Sequence, residues 1–192
     1  MRAPIGTFDH AVPATEALQL LCEPVAKAVR EWRGPVPADQ LLFVDTDPDK
    51  ADTAVFIETY GADLTDASAN LVVVAAKRAV AGGTGSERGL AACLVPATTR
   101  ADVNGAVRRQ LGARKVSFAP HATAVEETGM EFGGITPFGL PAGWPLLVDS
   151  AVVDLPWVLV GSGSRRGKLI VPGKALEALP DAYVMEGLGL RA

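Results

Sequence analysis

A chain of 192 residues, 48% of them hydrophobic, can bury one full core, and its length suits one domain plus an extension better than two full domains. Its longest apolar runs, such as Leu71 to Ala76 and Val158 to Val160, are strand-length, far short of the roughly 20 residues of a bilayer span. No apolar stretch follows the N-terminus as in a cleavable signal, and the net charge of −4 argues against a general nucleic-acid coat, so a cytoplasmic protein with neither membrane nor DNA as partner is expected.

From Pro13 to Trp32 the apolar residues Leu18, Leu21, Val25, Val29 and Trp32 fall at the three-and-four spacing of one helical face, and Gly34, Pro35 and Pro37 stop that helix. The pattern divides the chain into an N-terminal helical extension, 1–39, and a main domain, 40–192. Leu41 to Val44 reads as a strand, Asp52 to Tyr60 as a helix ended by Gly61, and Leu71 to Ala76 as a buried strand. Gly82 to Gly89 reads as a mobile hairpin loop returning into a partner strand, Leu90 to Pro96. Thr98 or Thr99 is expected to cap a helix with Val103, Val107 and Leu111 inside and Arg108 and Arg109 outside, terminated by Gly112. Lys115 to Ala119 alternates as a strand, and Pro120 opens a short helix closed by Gly129. Leu146 to Val148, Val158 to Val160 and Lys168 to Val171 are further strands, and a helix starting at Pro172 or Gly173 runs to Leu179. Strands outnumber helices without regular interleaving, which predicts an α+β fold: a mixed, mainly antiparallel, barrel-like sheet with flanking helices.

Several chemistries find no support. Asp45, Asp47 and Asp49 imitate the start of a calcium loop, but Lys50 stands where glycine is needed and Phe56 where the bidentate glutamate belongs. Neither His10 nor His121 has a partner at metal-ligand spacing, so no metal and no other cofactor is expected. Cys22 and Cys93 sit in apolar surroundings without a basic partner and read as buried free thiols. Gly161-Ser162-Gly163-Ser164 lacks the order of a nucleophile elbow. The segment Thr128 to Gly139 differs, because the adjacent Gly133 and Gly134 ahead of Pro137 let backbone approach a ligand and hold N–H groups in a fixed direction; a tight turn between strands gives the same pattern.

Five segments in succession carry a resemblance: Ala92 to Asn104 (A-C-L-V-P-A-T-T-R-A-D-V-N), Gly112 to Val116 (G-A-R-K-V), Thr128 to Gly139 (T-G-M-E-F-G-G-I-T-P-F-G), Val148-Asp149, and Gly161 to Gly167 (G-S-G-S-R-R-G). In order and spacing, over roughly residues 40 to 185, they resemble the YbaK/prolyl-tRNA synthetase-associated domain family. The resemblance implies that fold and deacylation of mischarged aminoacyl-tRNA, with aminoacyl-tRNA and an aminoacyl-tRNA synthetase as partners. On this reading Gly133, Gly134, Ile135 and Thr136 are catalytic, their N–H groups and hydroxyl serving an oxyanion. Asn70, Lys77, Pro137, Asp149, Gly161, Ser162 and Gly163 contact the substrate, with Asp149 on its α-ammonium or in a strand-end contact, and Arg108, Arg109, Arg114 and Lys115 contact tRNA phosphates. One departure stands out: family members commonly carry a lysine ahead of the strand at Leu71, where this chain has Asn70, with Lys77 as a distant substitute. Together with the acidic net charge, that departure favours the alternative of a non-catalytic binding module of the same fold, for a small amino-acid-like or nucleotide ligand or a synthetase partner.

Overall fold

The computed structural model describes residues 1–50, 53–79 and 86–191. In chain order its first half runs β1 (Ala11–Pro13), α1 (Glu23–Arg30), β2 (Leu42–Val44), α2 (Thr53–Tyr60), α3 (Leu64–Ala67), β3 (Ala69–Ala79), β4 (Ser86–Pro96) and β5 (Thr99–Ala101). There follow α4 (Arg108–Gln110), β6 (Lys115–Phe118), α5 (His121–Thr128), β7 (Leu146–Asp149), α6 (Ser150–Val153), β8 (Val158–Gly161), β9 (Lys168–Val171), α7 (Gly173–Leu176), β10 (Ala182–Met185) and β11 (Gly189–Arg191).

The strands form a four-stranded sheet in the order β1-β2-β9-β8, a five-stranded sheet β10-β7-β4-β3-β6, and the short pair β11-β5. All neighbours are antiparallel except β10 with β7 and β7 with β4, so the sheet system is mixed and mainly antiparallel, as expected. Among the described residues the strands do not close into a barrel: the two larger sheets meet where Ser68 bridges Leu159, at the start of β3 and in the middle of β8. The main core lies between them, with Leu94, Leu146 and Val148 of one sheet packed with Phe43, Val160, Leu169 and Val171 of the other. A smaller apolar cluster joins Phe8, Leu42, Phe56, Leu159 and Ile170 on the opposite face of the four-stranded sheet.

The N-terminal segment departs from the single long helix its spacing predicts. Residues Ala14–Glu16 and Leu18–Leu20 form 3₁₀ turns, and the α-helix proper is α1, eight residues long. Pro24 in the first turn explains the break, since its ring has no N–H and clashes with a helix arriving from upstream. The predicted apolar face nevertheless packs inward: Leu21, Val25, Val29 and Trp32 are buried in the main core, with the Trp32 and Phe138 rings 6.0 Å apart. Upstream, β1 pairs with β2 through Ala11↔Val44 and Pro13↔Leu42.

The helix expected from Thr98 or Thr99 also starts later. Thr99–Ala101 pairs with β11, and the cap is Asp102, whose carboxylate accepts from the N–H groups of Gly105 (2.9 Å) and Ala106 (2.7 Å) ahead of a π-helical turn, Val103–Val107. Most of the loop expected from Gly82 to Gly89 lies outside the described residues, but Ser86–Gly89 is already strand, paired with Ala76–Ala79. Among the described residues no helix is long and apolar enough to cross a membrane.

Candidate functional site

The glycine segment leaves α5 through Gly129 and turns at once. Gly134 N–H donates to the Glu131 carbonyl (2.9 Å), and Gly133, third residue of that turn, has φ +83°, the sign a type II turn demands there. The second glycine segment, 161–167, clasps the first. Glu131 N–H donates to the Gly163 carbonyl (2.9 Å), and Gly163 N–H donates to the Gly134 carbonyl (2.8 Å). The contact is close enough to require bare backbone, since a Cβ on Gly134 would lie 2.4 Å from the Ser164 oxygen and one on Gly161 would lie 2.4 Å from the Gly134 oxygen. Ser162 Oγ donates to the Gly167 carbonyl (2.9 Å), Gly167 N–H to Thr46 Oγ1 (2.9 Å) and Arg165 N–H to Glu131 Oε2 (2.7 Å). Arg166 holds Asp45 through two bonds of 2.9 and 2.7 Å, which together with its charge keep that exposed carboxyl below the usual aspartate pKa.

Where the two segments cross, a small cleft of about 90 Å³ opens between α2, the first residues of β3, the end of β8 and Lys168 at the head of β9. Asn70, Gly133 and Gly161 line it together, so three residues expected at the substrate meet in one place. Ser68 also lines it, but its hydroxyl donates to the Leu64 carbonyl (2.6 Å). Lys168 is only 8% exposed, with Nζ 5.6 Å from the centre of the Phe56 ring. Burial first, then the charge of Arg165, hold its ammonium pKa below the usual lysine value. From the sequence Lys168 reads only as the first residue of a strand; the signal it offers is a lysine heading the apolar run Leu-Ile-Val.

Other expected site residues lie elsewhere. Lys77 pairs with Arg88 and Lys115 at the opposite end of β3, seven residues and about 23 Å from Asn70 at 3.3 Å per residue, so it is no substitute there. Asp149 is buried with both oxygens engaged, Oδ1 accepting from Ala151 N–H (2.9 Å) and Oδ2 from Gly189 N–H (2.7 Å); it caps α6 and ties down β11, the strand-end contact of the two roles expected of it. Ser162 and Gly163 are buried in the clasp, Gly163 against Cys22 and Val25. Pro137 lines a separate, larger groove of about 770 Å³ against α1, floored by Trp32 and Trp144, whose charged residues are all exposed at its rim. Gly134 N–H is taken by the turn, which leaves Gly133 as the cleft-lining amide without an acceptor among the described residues.

Thr136 is fully buried, its N–H directed at the Met130 sulfur (3.5 Å) and its Oγ1 without a partner among the described residues. It does not line the cleft. An orphaned buried hydroxyl is destabilising, so Thr136→Val is expected to raise stability by about 1 kcal/mol, about 2–4 °C in a thermal melt. A melting temperature that falls instead would show that the hydroxyl is bonded in the folded protein.

Neither cysteine offers a nucleophile: burial raises the pKa of Cys22 and pushes that of Cys93 up to about 12. Among the described residues no group of three or more His, Cys, Asp or Glu side chains could hold a metal ion. His121 is exposed and stacks on Phe132, ring centres 4.1 Å apart. Arg108, Arg109, Arg114 and Lys115 are all exposed, and Lys115 pairs with Lys77 and Lys77 with Arg88 in one rung across β6, β3 and β4, on the sheet face opposite Val116 and so opposite the helical segment carrying Arg108 and Arg109. Like charges opposite one another weaken a sheet, so this rung has no gain in stability to explain it.

The chain is similar in fold to several solved structures. One, described as a candidate trans-editing enzyme for prolyl tRNA synthetase, is 21% identical with a TM-score of 0.63, over 78% of this chain and 87% of that one. A scaffold protein from work on epitope backbone grafting by computational design is 21% identical with a TM-score of 0.67, over 86% of this chain and 95% of that one. A hypothetical protein of known structure is 20% identical with a TM-score of 0.60, over 76% and 89%. No curated protein matches the chain. The aminoacyl-tRNA editing domain matches residues 47–179, which span β3, the glycine clasp, the cleft and Lys168, and over that stretch, well beyond half of the sequence, the chain belongs to the aminoacyl-tRNA editing domain family.

Proposed function

We propose that the chain is an aminoacyl-tRNA deacylase, hydrolysing the ester that joins a wrong amino acid to the terminal ribose of tRNA. The observation carrying this reading is the convergence of Asn70, Gly133 and Gly161 on one small cleft that holds a cation and no free nucleophile, in a chain of the editing-domain family. An aminoacyl ester is already activated, so a positioned water suffices. Water adds to the carbonyl carbon, the carbonyl oxygen becomes an oxyanion against the Gly133 amide, and the tetrahedral intermediate collapses with cleavage of the bond to the ribose oxygen. The water's proton passes to that oxygen, with the neighbouring ribose hydroxyl as relay, releasing free amino acid and uncharged tRNA. Asn70 orients the amino acid or the terminal adenosine by hydrogen bonding.

At about 90 Å³ the cleft is well below the 300–1,000 Å³ of drug-sized pockets, so it suits an amino-acid end with a small side chain. The test is a deacylation panel of mischarged tRNAs, in which alanyl, seryl, glycyl or cysteinyl esters are expected to react and large aromatic or branched ones to survive. A wild type inert across the whole panel would favour the binding-module reading. The exposed cations Arg108, Arg109, Arg114 and Lys115, at the edge of the five-stranded sheet, supply phosphate contacts of the tRNA. Replacing Arg109 and Lys115 together by alanine is expected to raise KM at nearly constant kcat and to lower the slope of log affinity against log salt by about 2, one per lost contact. An unchanged salt slope would remove these cations from tRNA binding.

A further inference from the structure

Strand β9 lies between β2 and β8, and its side chains alternate across the sheet. Leu169 and Val171 enter the main core, whereas Ile170 joins the opposite cluster with Phe56 and Leu159. Lys168, two residues before Ile170, shares its face, at a position whose neighbours are apolar. A buried ammonium ordinarily demands a carboxylate, because removing the charge from water is unfavourable and only a partner offsets it. Among the described residues the Lys168 ammonium makes no ion pair and no hydrogen bond, and two carboxylates bound to the clasp are used elsewhere: Asp45 by Arg166, Glu131 by the Arg165 amide. Its ammonium is therefore held against the Phe56 ring at the wall of the cleft that Asn70, Gly133 and Gly161 share. A second cation stands at the same mouth, Arg165 Nη1 lying 3.4 Å from where a Cβ on Gly133 would be, and Arg165 also forms no ion pair among the described residues.

We propose that Lys168 is the working cation of this cleft, its ammonium meeting an anionic oxygen of the bound aminoacyl end of tRNA. That oxygen belongs to the terminal phosphodiester or to the ester carbonyl as it becomes an oxyanion. The proposal rests on the deacylase reading and adds a residue to it, from a different strand than the one carrying Asn70. It also assigns the α-ammonium of the substrate to the side of the cleft away from Lys168, since two ammonium groups in so small a space repel.

The test compares wild type, Lys168→Met, Lys168→Arg and the double variant Asn70→Lys with Lys168→Met, each by melting temperature and by steady-state deacylation of the mischarged tRNA the panel selects. Methionine keeps the volume and removes an uncompensated buried charge, so the melting temperature of Lys168→Met should hold or rise while kcat/KM falls about a hundredfold. A fall in kcat at constant KM identifies the carbonyl oxygen and a rise in KM at constant kcat identifies the phosphodiester; either supports the proposal. Lys168→Arg should retain a measurable part of the activity, and Asn70→Lys in the Lys168→Met background should recover about tenfold by returning a cation to the same cleft. Lys168→Met within twofold of wild type in both constants overturns the proposal. So does a loss of rate that tracks a loss of melting temperature and that neither restored cation relieves. If the wild type is inert on every tRNA, the deacylase reading fails on its own, and the anion site is decided by calorimetry with adenosine 5′-monophosphate and adenosine. Tighter binding of the monophosphate, lost in Lys168→Met, keeps the cation assignment; equal binding or none ends it.

Discussion

Deletion of residues 1–39 is expected to abolish the cooperative thermal transition, not to yield a smaller stable domain. Leu21, Val25, Val29 and Trp32 are all buried among residues of the main core. At about 1.5–3 kcal/mol for each buried apolar side chain, their loss removes roughly 6–12 kcal/mol, the scale of a whole domain's stability. The deletion also strips β1 from β2, leaving the backbone of Leu42–Val44 as an unpaired sheet edge prone to association. Beyond stability, the segment supports the site: Gly163 packs on Cys22 and Val25, and a Cβ on Gly139 would lie 2.4 Å from the Pro24 oxygen. The truncated chain should therefore be aggregated or molten, with lost near-ultraviolet dichroism and no deacylation. A truncated protein that kept its melting temperature and oligomeric state but lost activity would show instead that the segment acts in the chemistry.

What could be read from the sequence follows from how local each signal is. Strands β8 and β9 are short runs rich in valine, leucine and isoleucine, buried on both faces, and their length and β-branched content mark them as strands although burial on both faces erases any alternation. Strand β10 was missed: Ala182–Met185 is largely exposed, and only its parallel pairing with β7, some 36 positions upstream in register, makes it a strand. Helix α1 was overextended because the three-and-four spacing of Leu18, Leu21 and Val25 continues through 3₁₀ turns, while Pro24 alone marked the true start. At the site, the glycine segments were legible as a motif, since close backbone approach leaves glycine as its trace. The partners of individual atoms were not. That Asp149 binds Gly189, that Thr136 is sealed from solvent, and that Lys168 turns into the cleft all depend on contacts between residues distant in sequence. A lysine in an apolar strand was the one available hint, and in isolation it reads as surface charge.

Alanine at Gly134 or Gly161 is expected to damage both the fold and the cleft. A Cβ on Gly134 would meet the oxygen, carbonyl carbon and Cα of Ser164 at 2.4, 2.5 and 2.8 Å; one on Gly161 would meet the Gly134 oxygen at 2.4 Å and the Ile135 oxygen at 2.8 Å. All of these are backbone atoms, so no side-chain rotamer can relieve the overlap and the two segments must separate. Overpacking of this kind costs about 1–3 kcal/mol or more, and for a chain of this length each kcal/mol lowers the melting temperature by about 2–4 °C. A fall of about 5 °C or more is expected for each variant. Activity should fall at least a hundredfold, because Gly161 and its neighbour Gly133 form the cleft wall that the clasp positions. Gly133→Ala supplies the contrast: its φ of +83° makes alanine strained, by about 1–2 kcal/mol, yet the nearest atom to the new methyl is the flexible Arg165 Nη1 at 3.4 Å. Alanine also keeps the backbone N–H at every one of these positions, so any lost rate measures displacement of the clasp and not removal of an oxyanion donor. The order Gly161→Ala and Gly134→Ala worse than Gly133→Ala, in both melting temperature and rate, is the expected result. A Gly134→Ala protein that melts with the wild type would mean that the two segments do not touch in solution, and the cleft defined by their crossing would have to be abandoned.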